Sequence, residues 1–177
     1  MKKTLMLIKY FLLRVHILLH FQNRVKVGVT ASVFNIPRFN VRKGNIFIEK
    51  HCSLKTSVIS SINGGQIRIG ENTSIGRNDI IVSHGNITIG RNCSLAPNVC
   101  IYDHDHKFGK NGKESGFKIG KVTIGDNVWC GVGVIILRDT VIGNNCVIGA
   151  GTVVKGNIPD NSLVVGSREM IIKPLHE

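Results

Sequence analysis

The stretch from Ile124 to Pro159, IGDNVW CGVGVI ILRDTV IGNNCV IGAGTV VKGNIP, repeats every six residues. Positions 124, 130, 136, 142, 148 and 154 are Ile, Cys, Ile, Ile, Ile and Val. Gly125, Gly131, Gly143 and Gly149 follow those positions directly, and the small or β-branched Val128, Val134, Thr140, Cys146 and Thr152 stand four places after them. A period of six fits neither an amphipathic helix nor a hairpin; it is the signature of a parallel β-helix. Short strands turn an aliphatic side chain inward, while glycine or asparagine accepts the positive φ needed at each corner. Three faces make a coil of about eighteen residues, stacked on the next at roughly 4.8 Å.

The same unit appears upstream as IGENTS from Ile69, IGRNDI from Ile75, IGRNCS from Ile89 and LAPNVC from Leu95, with IEKHCS from Ile48 a weaker copy. The fold class is therefore all-β, a prism of about six coils. It is assigned to residues 39–177, with a C-terminal tail at about 166–177, and is preceded by a helix and linker over 1–38.

One stretch breaks the period: IYDHDHKFGKNGKESGFKIGK, from Ile101 to Lys121. The interval from Ile101 to Ile124 exceeds one coil, which predicts a loop extruded at about 102–121 with two histidines at its root. Histidine, with an ordinary pKa near 6.5, is the side chain suited to take a proton from a hydroxyl at neutral pH. His104 and His106 are thus candidate general bases. Asp103 or Asp105 either orients the imidazole or caps the turn. His84 occupies an overlong step between Ile81 and Ile89, about one coil before His106, and Asn78 lies in a neighbouring turn. Both are candidates for acceptor binding, against a reading as ordinary surface polarity.

The N-terminal MKKTLMLIKYFLLRVHILLHF has the lysines and leucines of a signal or span, but Lys9, Arg14, His16 and His20 interrupt it. Each basic side chain near a bilayer centre costs roughly 2.5–3.5 kcal/mol. At helical spacing Leu7, Ile8, Phe11, Leu12, Val15, Leu18 and Leu19 form a wide apolar face, with Met6, Leu13 and Ile17 between the basic stripes. This predicts an amphipathic helix. Residues 1–22 either lie on a membrane as a peripheral contact or pack on the protein or a neighbouring subunit.

The formal net charge of +12 is concentrated early, for no acidic residue precedes Glu49. No nucleic-acid-reading motif accompanies it, so no nucleic-acid partner is expected. Five cysteines without a C-x-x-C pair argue against a disulfide framework and a thiolate metal site, and for a reducing, cytoplasmic location. Cys130 falls on an inward position and reads as core rather than nucleophile.

The phrases LAPNV from Leu95, DHDH from Asp103, TIGDNVWCG from Thr123 and VIGAGTVVKGNIP from Val147 resemble the hexapeptide-repeat acyltransferases, in the branch of sugar and polysaccharide O-acetyltransferases. The resemblance spans about residues 45–170. It implies a left-handed parallel β-helix, a homotrimer, acetyl-CoA as acyl donor without a metal, and a glycan or small-molecule acceptor. It places the general base on His106, with His104 the alternative. It also places Trp129 near the cofactor or acceptor, or at the subunit contact; Val132 and Ala150 along the pantetheine; and Lys155 and Lys173 near the phosphates. Gly156 and the turn beginning at Gly166 depart from the family pattern there, and Arg168 is the candidate substitute. Gly76 departs from an asparagine of the closest sugar enzymes, so acceptor specificity does not transfer. Alternatives are N-acetylation of an amino sugar, serine or xenobiotic acetylation, a γ-class carbonic anhydrase-like zinc enzyme built on His84, His104 and His106, and a non-catalytic scaffold.

Overall fold

The structure, a computed structural model, describes residues 2–21, 23–28, 32–110 and 112–166. Three parallel sheets form the faces of a β-helix. The first face stacks Val25–Val27, Asn45–Ile48, Gln66–Ile69, Asn86–Ile89, Lys121–Ile124, Thr140–Ile142 and Asn157–Ile158. The second stacks Ser32–Val33, Ser53–Leu54, Ser74–Ile75, Ser94–Leu95, Trp129–Cys130, Val147–Ile148 and Leu163–Val164. The third stacks Arg38–Arg42, Ser57–Ile62, Asp79–Ser83, Cys100–Tyr102, Ile135–Ile136 and Val153–Val154. Two faces therefore begin N-terminal to residue 39, because the segment read as linker already pairs with the coil above it: Val25 with Ile46, and Ser32 with Ser53.

The six-residue period maps onto the faces in rotation, one inward residue to each. Ile48, Ile69, Ile89, Ile124, Ile142 and Ile158 are in register on the first face. Phe39, Ile59, Ile81, Ile101, Ile136 and Val154 are in register on the third. Ile59, Ile69, Ile75, Ile81 and Ile101 are fully buried, each contributing about 1.5–3 kcal/mol of transfer free energy. The corner between the first and second faces is turned by Asn72, Asn92, Asn127, Asn145 and Asn161, all at φ between 56° and 59°. Asparagine tolerates that left-handed backbone, and its amide bonds the next coil: Asn127 Nδ2 to Asn145 Oδ1 at 3.0 Å, and Asn145 Nδ2 to Asn161 Oδ1 at 3.1 Å.

Helix α1, Lys2–Phe21, packs across the first strands of the first and second faces. Leu13 and Ile17 are its buried side chains, Tyr10 Oη donates to the Gly28 carbonyl at 3.1 Å, and Lys9 Nζ donates to the Phe34 carbonyl at 2.6 Å. The packed stripe is thus the one between the basic residues. The wider apolar face stays in solvent, with Leu7 68%, Phe11 66%, Leu18 71% and Leu19 70% exposed. Among the described residues no helix is long and apolar enough to cross a membrane.

The break in the period is an antiparallel hairpin, His104–Gly109 with Gly112–Ile119. It leaves the prism at the edge between the third and first faces. Bonded corner residues Asp126 and Asn144 are 18 apart in sequence, but Arg91 and Asp126 are 35 apart, and the hairpin takes up that excess. Its return is tight: the Gly120 N–H donates to the Asp103 carbonyl at 2.8 Å, and a Cβ on Gly85 would lie 2.4 Å from the Gly120 oxygen.

Candidate active site

The hairpin root gathers a histidine cluster around one buried carboxylate. Asp103 is fully buried and accepts four hydrogen bonds: from Ser83 Oγ at 2.6 Å, the His84 N–H at 2.8 Å, the Gly85 N–H at 2.9 Å and His104 Nδ1 at 3.1 Å. A carboxylate only accepts, so the last bond fixes a proton on Nδ1 and leaves Nε2 of a neutral His104 with its lone pair free. The preceding coil supplies His84, whose ring stacks on His104 with centroids 3.9 Å apart and planes 18° apart. Asn63 Nδ2, from the corner below, lies 3.4 Å from His84 Nδ1. Burial and the neighbouring His104 push the His84 pKa below its usual range; Asp103 opposes this in part, and His106 adds to it.

Phe117, on the returning hairpin strand, touches all three imidazoles. Its centroid is 4.4 Å from that of His84, 5.2 Å from His104 and 4.7 Å from His106. The sequence reading missed Phe117, along with Ser83, Asn63 and Arg138; the one available signal for Phe117 was its being the aromatic residue on the return strand of a glycine- and lysine-rich loop. His106 pairs with Phe117 across the hairpin and is exposed. Asp105 faces away from the imidazoles toward Arg138, whose Nε donates to its carboxylate at 2.9 Å; Arg138 also pairs with Asp139. Asp105 is therefore placed to tie the hairpin to the next coil.

The other candidates lie elsewhere. Asn78 turns the corner between the second and third faces at φ 58°, separate from the histidine edge. Val132 and Ala150 are exposed at that same corner, where the Gly151 N–H donates to the Val132 carbonyl at 2.8 Å. Trp129 is on the second face, 55% exposed. The outward column there changes character along the prism: Ser32, Ser53, Ser74 and Ser94 give way in register to Trp129, Val147 and Leu163. In a three-faced prism this column lies opposite the edge that carries the histidines. Lys155 is exposed after the last third-face strand, on the histidine edge. Arg168 and Lys173 lie outside the described residues.

Cys130 is buried, and burial pushes its thiol up to about 12, so it behaves as core. Among the described residues no three His, Cys, Asp or Glu side chains converge as a metal-ligand set. His84 and His104 present ring faces to each other rather than nitrogens to a shared point.

A parallel β-helix built on a six-residue period, with imidazoles at an extruded hairpin, defines a hexapeptide-repeat protein. Two family models agree: the bacterial transferase hexapeptide (six repeats) matches residues 121–156, and the hexapeptide repeat of succinyl-transferase matches residues 66–103. A solved maltose O-acetyltransferase from Clostridium difficile 630 is 37% identical, with 82% of this chain and 71% of that one covered and a TM-score of 0.54. The galactoside O-acetyltransferase of Escherichia coli K12 is 38% identical over 118 residues, which is 64% of this chain and 57% of that protein. A hexapeptide-repeat acetyltransferase of Vibrio cholerae, solved with acetyl coenzyme A, is 28% identical at a TM-score of 0.54, covering 63% of this chain and 61% of that one. The chain belongs to the hexapeptide-repeat acetyltransferase family, and its relatives include sugar O-acetyltransferases. It spans between 35% and 63% of the length of eight curated relatives it matches.

Proposed function

We propose that this chain is an acetyl-CoA-dependent O-acetyltransferase acting on a sugar hydroxyl, in a glycan or a surface-polysaccharide precursor, and that it works as a homotrimer. One observation carries the reading. The histidine cluster and the apolar Trp129, Val147 and Leu163 column are on opposite sides of one prism, so they meet only where the edge of one copy packs on the second face of another. Closed cyclic symmetry satisfies that demand with every subunit equivalent.

Acetyl-CoA supplies an activated thioester carbonyl, and the chain's task is to bring a hydroxyl to it and accept the proton. Trp129, Val132 and Ala150 offer an apolar wall for the pantetheine arm, and Lys155 offers a cation for the phosphates. His106, exposed on the hairpin, is the proposed base, taking the acceptor proton as the oxygen bonds the acyl carbon and later returning it to the departing sulfur. His84 and Asn78 are proposed acceptor contacts. Comparison with relatives acting on maltose and galactosides supports the sugar class.

A specific observation favours a second reading for the base alone: His104 has the carboxylate partner that a general base uses to fix its tautomer. Thiol release from acetyl-CoA with a panel of sugars separates the two. His106→Ala is expected to lower kcat by about 10²–10⁴-fold, with His104→Ala weaker. The reverse ranking transfers the role to His104, and full activity in both variants refutes the imidazole base.

A further inference from the structure

The solvent face of α1 is apolar from Leu5 to Leu19, and basic residues stand at its margins. At 100° per residue, the packed stripe of Tyr10, Leu13, Ile17 and Phe21 lies opposite a face made by Leu5, Ile8, Phe11, Leu12, Val15, Leu18 and Leu19. Each of these seven is between 38% and 71% exposed. Lys9, His16 and His20 fall on one margin and Arg14 on the other. Two clefts beside the helix are cationic as well: Arg14 and Lys26 line one, His20 and Arg24 the other, and neither includes a carboxylate. Arg38, Arg42 and Lys43 are exposed in the same opening coils, and no acidic residue precedes Glu49.

We propose that α1 lies in the plane of an anionic lipid bilayer, its outer apolar face inserted between acyl chains and its basic margins among the phosphates, holding the prism by its N-terminal end. A helix with this cross-section buries its apolar side roughly 5–10 Å deep. Each basic side chain near an anionic surface multiplies binding about fivefold. Charge selects lipid over a second copy of the chain as the occupant. A self-association through this face would bring the exposed Arg14, Arg24 and Lys26 of two copies against one another without a carboxylate to meet them, whereas lipid phosphates complement all three. The inserted face is also separate from the stripe that holds the helix to the prism, so attachment needs no unfolding. The inference does not rest on the acetyl-transfer reading.

The test is flotation of the full chain with phosphatidylcholine vesicles, with and without phosphatidylglycerol. Binding is expected only with the anionic lipid, weakening as salt rises. The double substitution Phe11→Asp and Leu18→Asp, at positions 66% and 71% exposed, is expected to lower flotation more than tenfold while leaving the thermal midpoint and the sedimentation mass unchanged. Absence of flotation with anionic vesicles, or flotation undiminished by the double substitution, overturns the proposal. So does a fall in sedimentation mass, which would make the face a subunit contact. Arg24→Gln with Lys26→Gln supplies a milder variant that keeps the apolar face, and its expected loss is at least tenfold at low salt; an unchanged affinity would refute the electrostatic part.

Discussion

Replacing Asp103 with asparagine tests whether one carboxylate holds the candidate site together. One of its oxygens takes the His84 N–H and His104 Nδ1, and the other takes Ser83 Oγ and the Gly85 N–H. An amide has one acceptor oxygen, so in either orientation a buried backbone N–H faces an NH₂ group and loses its partner. Leaving such a donor unpaired costs about 1–3 kcal/mol, and the loss of charge-assisted bonds adds a similar amount. A total near 2–6 kcal/mol corresponds to a fall of about 4–24 °C in the thermal midpoint for a chain of this size. Circular dichroism melts of the two proteins measure it. With the NH₂ group turned toward His104, Nδ1 must accept instead of donate and the proton moves to Nε2, so the proposed acetyl transfer is expected to fall at temperatures where the variant is fully folded. A midpoint within about 2 °C of the parent, with unchanged turnover, would mean that the cluster is neither stabilising nor positioned by Asp103.

Two buried groups give opposite pH dependences. Burial raises Asp79 to about 6, opposed by the Val99 and Gly76 N–H bonds, so the native state keeps a proton that the unfolded state releases above about pH 4; its contribution is present below that and lost as pH rises through 6. His84, depressed from 6.5, contributes stability above that pH that is lost on acidification. Denaturant titrations at several pH values should therefore show the deficit of Asp79→Asn growing toward acid and the acid sensitivity shrinking in His84→Gln, and parallel curves would contradict both. Phe117→Ala removes three ring contacts and is expected to cost about 1.5–3 kcal/mol and to lower kcat more than it changes KM, with Phe117→Tyr restoring most of both; a kcat equal to the parent's would deny it a positioning role. Native protein should expose one of its five thiols to alkylation, the half-exposed Cys100, with the four buried ones reacting on unfolding, as mass spectrometry of labelled peptides would show. Mixing inactive His106→Ala with a face variant, Leu163→Glu, should restore about a quarter of the sites if they form between subunits; no recovery after refolding together would place the whole site in one chain.

The fold was legible because inward positions of a β-helix obey a single rule. The inward residues Ile69 to Ile81, Ile89 to Ile101 and Ile124 to Val154 could be read by counting sixes, since a polar or missing side chain there would bury a polar group or open a void. The corner asparagines were readable for the same reason: few residues accept φ near 57°. The opening coil was not legible. Val25–Val27 and Ser32–Val33 are too short and too far apart to carry the six-residue beat, and only pairing with the next coil makes them strands. For the helix, hydrophobic spacing identified an amphipathic element but ranked its faces by width. The prism selects by shape instead, taking the narrow Leu13 and Ile17 stripe.

The site is legible wherever the chain departs from its rule, and opaque where it does not. His84 falls in an overlong step and His104 and His106 at the extruded hairpin, so each stands where spacing had to change. The stacking of His84 on His104, the division of Asp103 from Asp105 and the hub at Phe117 depend on side-chain directions that spacing does not carry. Asp105 and Asp103 differ by two residues, yet one is drawn to Arg138 from a later coil and the other is buried under four donors. The change from serine to Trp129, Val147 and Leu163 breaks no rule at all, because outward positions of a repeat are unconstrained by the core. Such positions are exposed at a cost of apolar hydration, and a column that accepts that cost only in the last three coils is a surface shaped for contact. Its place opposite the histidines is what the proposed contact between copies requires, since one prism cannot bring its own second face to its own histidine edge.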